Sequence, residues 1–317
     1  MSETLYDLYT SFFGASVVVA PEYLLLSLPI AWVLFRLMKP GGRFWRWLLP
    51  REVYFHRSHL LDLKLFAIGR LMVFSGLLGR ISLATAVAAG IAGLFAGGAG
   101  PAADWSPWML ALMLWLVADA ASYWVHRLHH HWRVLWPLHA VHHSAEVLTP
   151  FTAYRQHPLA LVTSGMMNSL FAGIGQGLLL GALDPSVMIH QIAGVNTFIV
   201  LANAAMANFH HSHIWVSFGP IVERLIISPA QHQVHHSTAP EHFDKNFGQT
   251  LALWDWLFGS LYIVRGTRQP GFGLDRATDP TLAGNADTPQ TGTADDPRPQ
   301  RLGETLIEPL RSMLGRR

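Results

Sequence analysis

Long apolar blocks separated by short polar turns dominate the chain. Five of them are long enough to cross a bilayer as helices, which takes about 20 mostly apolar residues. They run from Glu22 to Met38, from Ile81 to about Gly100, from about Trp105 into His126, from Leu159 to Leu183 and from Ser186 to Ala207. The pattern predicts an all-α fold: an integral membrane helical bundle with a cytoplasmic histidine-rich helical cap. From Leu60 to Leu78, apolar positions alternate with Asp62, Lys64 and Arg70, as expected of a helix lying in the membrane interface. Beyond Val264 large apolar residues become scarce, so 266 to about 302 is expected to be disordered. The closing LGETLIEPLRSMLGRR is expected to form a short amphipathic helix interrupted at Pro309. Three regions follow: a membrane anchor with interfacial helices (1–105), a central domain (106–264) and a largely disordered tail (265–317).

Charge orients these spans. Residues 1–21 carry Glu3 and Asp7 and no Lys or Arg, whereas Arg36, Lys39, Arg43, Arg46, Arg51 and Arg57 follow the first apolar block. The positive-inside rule then puts the N-terminus outside and this basic loop in the cytoplasm. No cleavable signal is visible, so the first block reads as a retained anchor, and a multi-pass protein of a bacterial inner membrane is expected. Five crossings bring 126–143 and 210–236 to the cytoplasmic side. A net charge of +2 argues against nucleic acid as a partner and leaves anionic headgroups as neighbours of the basic loops. Cysteine is absent, which excludes disulfides, iron–sulfur clusters and thiolate zinc sites. Any metal chemistry falls to histidine.

Histidine is abundant where the third block ends. Seven of the eighteen histidines lie between Asp119 and Ser144, in DAASYWVHRLHHHWRVLWPLHAVHHS. His126 and His130 share a helical face, as do His139, His142 and His143, because residues three or four apart are neighbours on a helix. Pro137 is expected to break the helix between the two sets. QHQVHHS repeats the HxxHH spacing at His232, His235 and His236. Imidazoles in this number exceed what one tetrahedral zinc can use, and the spacing points to more than one metal ion. NFHHSHI supplies His210, His211 and His213, at least one of which is expected to complete a coordination sphere. His129 and His131 are expected to lie outside the ligand set. His157, before Pro158, is a candidate ligand or supporting donor. Asp119 lies about 10 Å deeper than His126 at 1.5 Å per residue, so it either orients a histidine of a neighbouring helix or pairs with a nearby Tyr or Arg. No HExxH, GxSxG or GxGxxG is present.

HRLHH, HAVHHS and HQVHH in this order, after DAASYWVHR, resemble the fatty acid hydroxylase and sterol desaturase superfamily. RQHP, SPAQHQVHHS and DKNFGQTLALWDWLFGS extend the likeness over about Trp108 to Tyr262. The resemblance implies a histidine-ligated non-haem di-iron oxygenase domain over 106–264, with two iron ions as cofactor and O2 as co-substrate. Its ligands would be His126, His130, His139, His142, His143, His211, His232, His235 and His236, with no catalytic residue beyond the metal site. His213 stands where the family has Asn and is a possible added ligand, and His157, Asp119, His129 and His210 are possible added ligands or groups that support the ligands. The implied reaction is hydroxylation of an unactivated C–H bond of a membrane lipid, whether fatty-acyl, sterol-like or carotenoid-like. Desaturation and alkylglycerol-type ether cleavage use the same metal logic. The chain has no flavin, haem or cluster motif of its own, so a ferredoxin or cytochrome with its reductase is the expected electron donor. A bis-histidine haem protein and a metal transporter are the competing non-enzyme readings. The first would want single histidines on facing spans, the second polar residues through several spans.

Overall fold

The computed structural model describes residues 3–14, 17–78, 80–95, 106–183, 207–266, 269–274 and 301–314. These form helices and turns without a strand, apart from an isolated bridge between Ser237 and Phe272. In chain order the helices are α1 (Glu3–Phe13), α2 (Pro21–Met38), α3 (Phe44–Leu48), α4 (Arg51–Tyr54), α5 (Arg57–Phe74), α6 (Arg80–Gly93), α7 (Pro107–His131), α8 (Trp136–His143) and α9 (Pro158–Leu183). Short pieces follow: α10 (Asn208–His210), α11 (Gly219–Val222), α12 (Pro229–His235), α13 (Leu253–Phe258) and, after a gap, α14 (Leu302–Met313). Proline lies in the first turn of α2, α7, α8, α9 and α12, where its missing N–H costs nothing. The break between α7 and α8 comes at 132–135, and Pro137 lies in the first turn of α8 instead of in the break.

Three helices among the described residues are long and apolar enough to cross a membrane: Pro21–Met38, Trp108–His131 and Pro158–Leu183. The expected 81–100 span is shorter, with an apolar helix over Leu83–Gly93, and the expected 186–207 span lies outside the described residues but for its last residue. Small residues set the α6/α9 contact. Gly165, Ser169, Gly173, Gly177 and Gly181 recur every four residues and are all buried on α9. A Cβ on Gly177 would stand 2.6 Å from Ile91 Cβ and 2.7 Å from the Ala88 carbonyl oxygen, closer than atoms tolerate. Gly177→Leu is therefore expected to force the helices apart and to cost ~1–3 kcal/mol, read as a lower unfolding temperature in detergent. An unchanged midpoint would show that the contact yields freely.

α5 divides its polar residues: Asp62 is fully buried and Arg70 buried, whereas Lys64 is exposed, and Leu61 and Leu65 pack on Val141 of α8. Asp62 thus meets protein and not a headgroup layer, because Arg155 awaits it there. Residues 269–274 of the stretch expected to be disordered are packed, as the Thr238 N–H donates to the Gly271 carbonyl (3.0 Å) and Gln269 Nε2 to Gln233 Oε1 (2.8 Å); 275–300 lie outside the described residues. α14 runs through Pro309, which is buried, while Leu302 and Leu306 join the Leu61, Leu65 and Val141 cluster. The burial of that face offsets the single hydrogen bond proline removes.

Candidate metal centre

Four elements deliver imidazoles to one end of the bundle. α7 brings His126 and His130 on its last turns, α8 brings His139, His142 and His143, the segment after α10 brings His211, and α12 with its C-cap brings His232, His235 and His236. α12 is fixed by a capping box in which Ser228 Oγ accepts from the Gln231 N–H (3.1 Å) and Gln231 Oε1 accepts from the Ser228 N–H (3.0 Å).

The nine side chains divide into two groups. His126, His130, His139, His143 and His235 form one, and His142, His211, His232 and His236 the other, with the ligand atoms of each within 4.8 Å of one another. Each HxxHH motif is split between them. The i, i+4 pair His139 and His143 enters the five-histidine group while His142 enters the other; in α12 the pair His232 and His236 enters the four-histidine group while His235 crosses over. Adjacent helical residues point about 100° apart, so each HH doublet serves two neighbouring sites.

The hydrogen bonds show what the groups lack. Nδ1 of His126 donates to the Phe247 carbonyl (2.7 Å) and Nδ1 of His235 to that of Lys245 (2.8 Å). A carbonyl only accepts, so the proton of each ring sits on Nδ1 and its Nε2 carries a lone pair. Nε2 of His126 faces Nε2 of His139 at 3.2 Å, and Nε2 of His143 faces the same atom at 3.2 Å. Nε2 of His130 and of His235 are buried without a hydrogen-bond partner. In the second group, Nε2 of His211 meets those of His232 (2.9 Å), His236 (3.1 Å) and His142 (3.3 Å). The lone pairs on Nε2 of His126 and His235 thus point into a group of imidazole nitrogens with no anion or hydroxyl of the described residues among them, an arrangement that a cation would satisfy. The donor set thus fits two metal ions held by imidazole nitrogen, and iron is among the metals that imidazole suits.

Electrostatics agree. Loss of hydration on burial pushes His142 down to about 3 and His235 to about 4, and holds His139, His143, His211, His232 and His236 well below the ordinary histidine value. These rings are neutral near pH 7, the form that binds metal.

The loop from Asp244 to Gly248 supports the five-histidine group. Besides the two carbonyls, Asp244 Oδ1 stands 3.6 Å from His130 Nδ1. Asp244 and Asn246 both adopt positive φ (57° and 56°). Asn246 is locked by donating to the Gln231 carbonyl (3.1 Å) and accepting from the Tyr262 N–H (2.7 Å). Asp255 accepts from the N–H groups of Phe247 and Gly248, both at 2.8 Å. A Cβ on Gly248 would run into the Leu251 carbonyl oxygen.

The additional candidates are engaged elsewhere. His129 donates to the Val125 carbonyl (2.8 Å) and pairs with Ser164 Oγ (3.1 Å). His157 donates to the Leu306 carbonyl of α14 (3.0 Å) and accepts from the Leu159 N–H (3.1 Å). His210 donates to the Ile227 carbonyl (3.3 Å), with its ring stacked on that of His232 at 5.4 Å. His213 donates to the Trp47 carbonyl (2.7 Å). Asp119 orients no histidine in these contacts; it accepts from Trp254 Nε1 (2.9 Å) and the Leu251 N–H (3.3 Å), since seven residues along α7 put it beside α13 instead. Asp119→Asn is accordingly expected to lower the unfolding temperature while leaving metal content unchanged; parallel loss of metal would make it an orienting residue after all.

Reading the sequence by motif missed the carbonyls of Lys245 and Phe247, because a backbone acceptor leaves no residue signature. It also missed a buried network. Arg155, fully buried, donates to Asp62 Oδ1 (2.7 Å), the Ser58 carbonyl (3.1 Å), the Val141 carbonyl (2.9 Å) and Ser144 Oγ (2.9 Å), and Thr152 donates to Asp62 Oδ2 (2.7 Å). It ties α5 to the C-terminal end of α8. Its sequence signals were Asp62 in an apolar stretch and the Arg155 of RQHP, with nothing in the spacing to pair them.

Helices long and apolar enough to cross a membrane, with two histidine groups able to hold metal where α7 ends, suggest a metal-binding membrane protein. Residues 111–260 match the family model for fatty acid hydroxylase. This match, over just under half of the chain, supports the fatty acid hydroxylase and sterol desaturase superfamily for the segment. It is 31% identical over 157 residues to the alkylglycerol monooxygenase of Danio rerio, covering 49% of this chain and 31% of that protein. It is 29% identical over 161 residues to the ornithine lipid hydroxylase OlsE of Rhizobium tropici (49% and 43%), and 30% over 143 residues to human lathosterol oxidase (45% and 41%). The chain thus spans less than half the length of these relatives. No solved structure matches it.

Proposed function

We propose that the protein is a membrane-bound, non-haem di-iron monooxygenase that hydroxylates an unactivated C–H bond of a lipid, with its metal centre on the cytoplasmic face. The observation that carries this reading is the pair of buried histidine groups, five and four, sharing one end of the spanning helices. The nine histidines of these groups are the proposed ligands. Iron bound by them would supply O2 activation and cleavage of the C–H bond. The protein's part is to keep the imidazoles neutral by burial, to hold two of them by carbonyls at 245 and 247, and to keep bulk water away. The centre ends α7, so an amphiphile can keep its chain in the bilayer while its head reaches the site.

Hydroxylation converts RH, O2, two electrons and two protons into ROH and water, and the electrons come from an external ferredoxin or cytochrome with its reductase. The relatives include a sterol desaturase and ether-cleaving-type alkylglycerol monooxygenases, so the outcome is read from product mass. With 18O2, a hydroxylase adds one labelled oxygen to the lipid, a desaturase removes two hydrogens without label, and ether cleavage releases the intact alkyl chain as an aldehyde together with the free glycerol hydroxyl. No O2-dependent change in any lipid supplied with reductant would overturn the proposal.

A further inference from the structure

The N-terminal region lies outside the family match, yet it packs directly against the backbone that carries His211. Ala31 of α2 shares a core with Phe209 and Ile214, and Phe44, Trp47 and Leu48 of α3 close over it. Between α2 and α3 the chain turns sharply: Lys39 caps α2 at φ 47°, and Gly41 and Gly42 follow at 81° and 72°, a conformation glycine takes without strain. The turn wraps Gly41, Gly42, Arg43, Arg46 and Trp47 around an open cleft of about 450 Å³.

The chemistry of the cleft is lopsided. Arg43 and Arg46 are exposed, and among the described residues neither guanidinium meets an acceptor, whereas Arg57 on the same basic stretch is paired with Glu146 at 3.3 Å. Trp47 lines the cleft, and its ring packs with those of Phe35 and Phe44 at 5.4 to 6.2 Å. Two unpaired guanidinium groups beside an indole, at the end of a spanning helix, suit an oxyanion attached to a hydrocarbon chain. Trp47 also links the cleft to the metal centre. Its carbonyl accepts from His213 Nε2 at 2.7 Å, its ring lies 6.4 Å from that of His213, and His213 follows His211 by two residues, at most ~7 Å of chain.

We infer that this cleft binds the anionic headgroup, phosphate or carboxylate, of the lipid that the histidine centre oxidises. The inference rests on the oxygenase reading and narrows it: anionic amphiphiles are preferred to neutral ones, and oxidation falls toward the head end of the chain.

The test uses the full chain in detergent and measures binding of hexadecylglycerol phosphate, neutral hexadecylglycerol and chain-free glycerol phosphate, with metal content measured alongside. The phosphate-bearing lipid is expected to bind ~10-fold or more tightly than the neutral one, as charge-assisted bidentate contacts predict. Arg43→Gln with Arg46→Gln should erase that preference without changing metal content, and Arg51→Gln, on the same basic stretch outside the cleft, should keep it. Equal binding of the two lipids, an equal loss in Arg51→Gln, or glycerol phosphate binding as tightly as the lipid would overturn the assignment. Binding is read without turnover, so the two ideas fail separately. A preference without any O2-dependent product sinks the oxygenase and leaves the headgroup site, and product without a preference does the reverse.

Discussion

His211→Ala combined with His232→Ala is expected to halve the metal bound per chain, because both side chains belong to the four-histidine group and leave the other five in place. His130→Ala with His143→Ala should remove the other half, and all four together should leave none. The split follows from geometry alone: His143 and His142 are adjacent in sequence but serve different groups. Activity should vanish in both double variants if the two ions act together. Elemental analysis of the purified variants checks this, with helix content by circular dichroism confirming that the bundle has formed. If either double variant loses both ions in step, the two groups are a single cooperative site. If neither loses any, the histidines are not the ligands.

The second large effect is expected at Asp62, far from the motifs. Asp62 and Arg155 form an ion pair at 2.7 Å with both side chains fully buried. Removing one partner strands a charge out of water, so Asp62→Ala should cost ~3–5 kcal/mol of stability. Replacing both, as Asp62→Leu with Arg155→Met, removes the stranded charge and should be less damaging than Asp62→Ala alone. It will not restore the wild type, since the Val141 and Ser58 carbonyls lose the donor that Arg155 supplied. Thermal unfolding in detergent gives the order of the three proteins. A double variant worse than the single one would mean that the network, and not the buried charge, dominates. Metal content should fall with Asp62→Ala, because Arg155 holds the end of α8 beside His142 and His143.

Much of the centre was legible before the fold. The HxxxH and HxxHH spacings mark eight of the nine residues, since helical periodicity shows which imidazoles are near one another. His211 came only through the family resemblance, because it sits in irregular chain after α10 and belongs to no spacing. The partition into five and four was not legible, since it depends on how α8 and α12 are turned against each other. The same holds for α5. Its Asp62 and Arg70 read as interfacial by alternation, but alternation cannot say whether a polar residue meets water or a buried partner such as Arg155. The extra histidines at 157, 210 and 213 could not be told from ligands in sequence, whereas His129 was expected to lie outside the set. One ring nitrogen of each donates to a carbonyl, of Leu306, Ile227, Trp47 and Val125 respectively, and the first three of these contacts only tertiary structure reveals.

The most direct test of the whole account is the iron content of the detergent-purified wild-type chain after anaerobic loading, taken with its optical spectrum. Two irons per chain and no haem band are expected. No bound metal, a single ion, or a haem spectrum would contradict that.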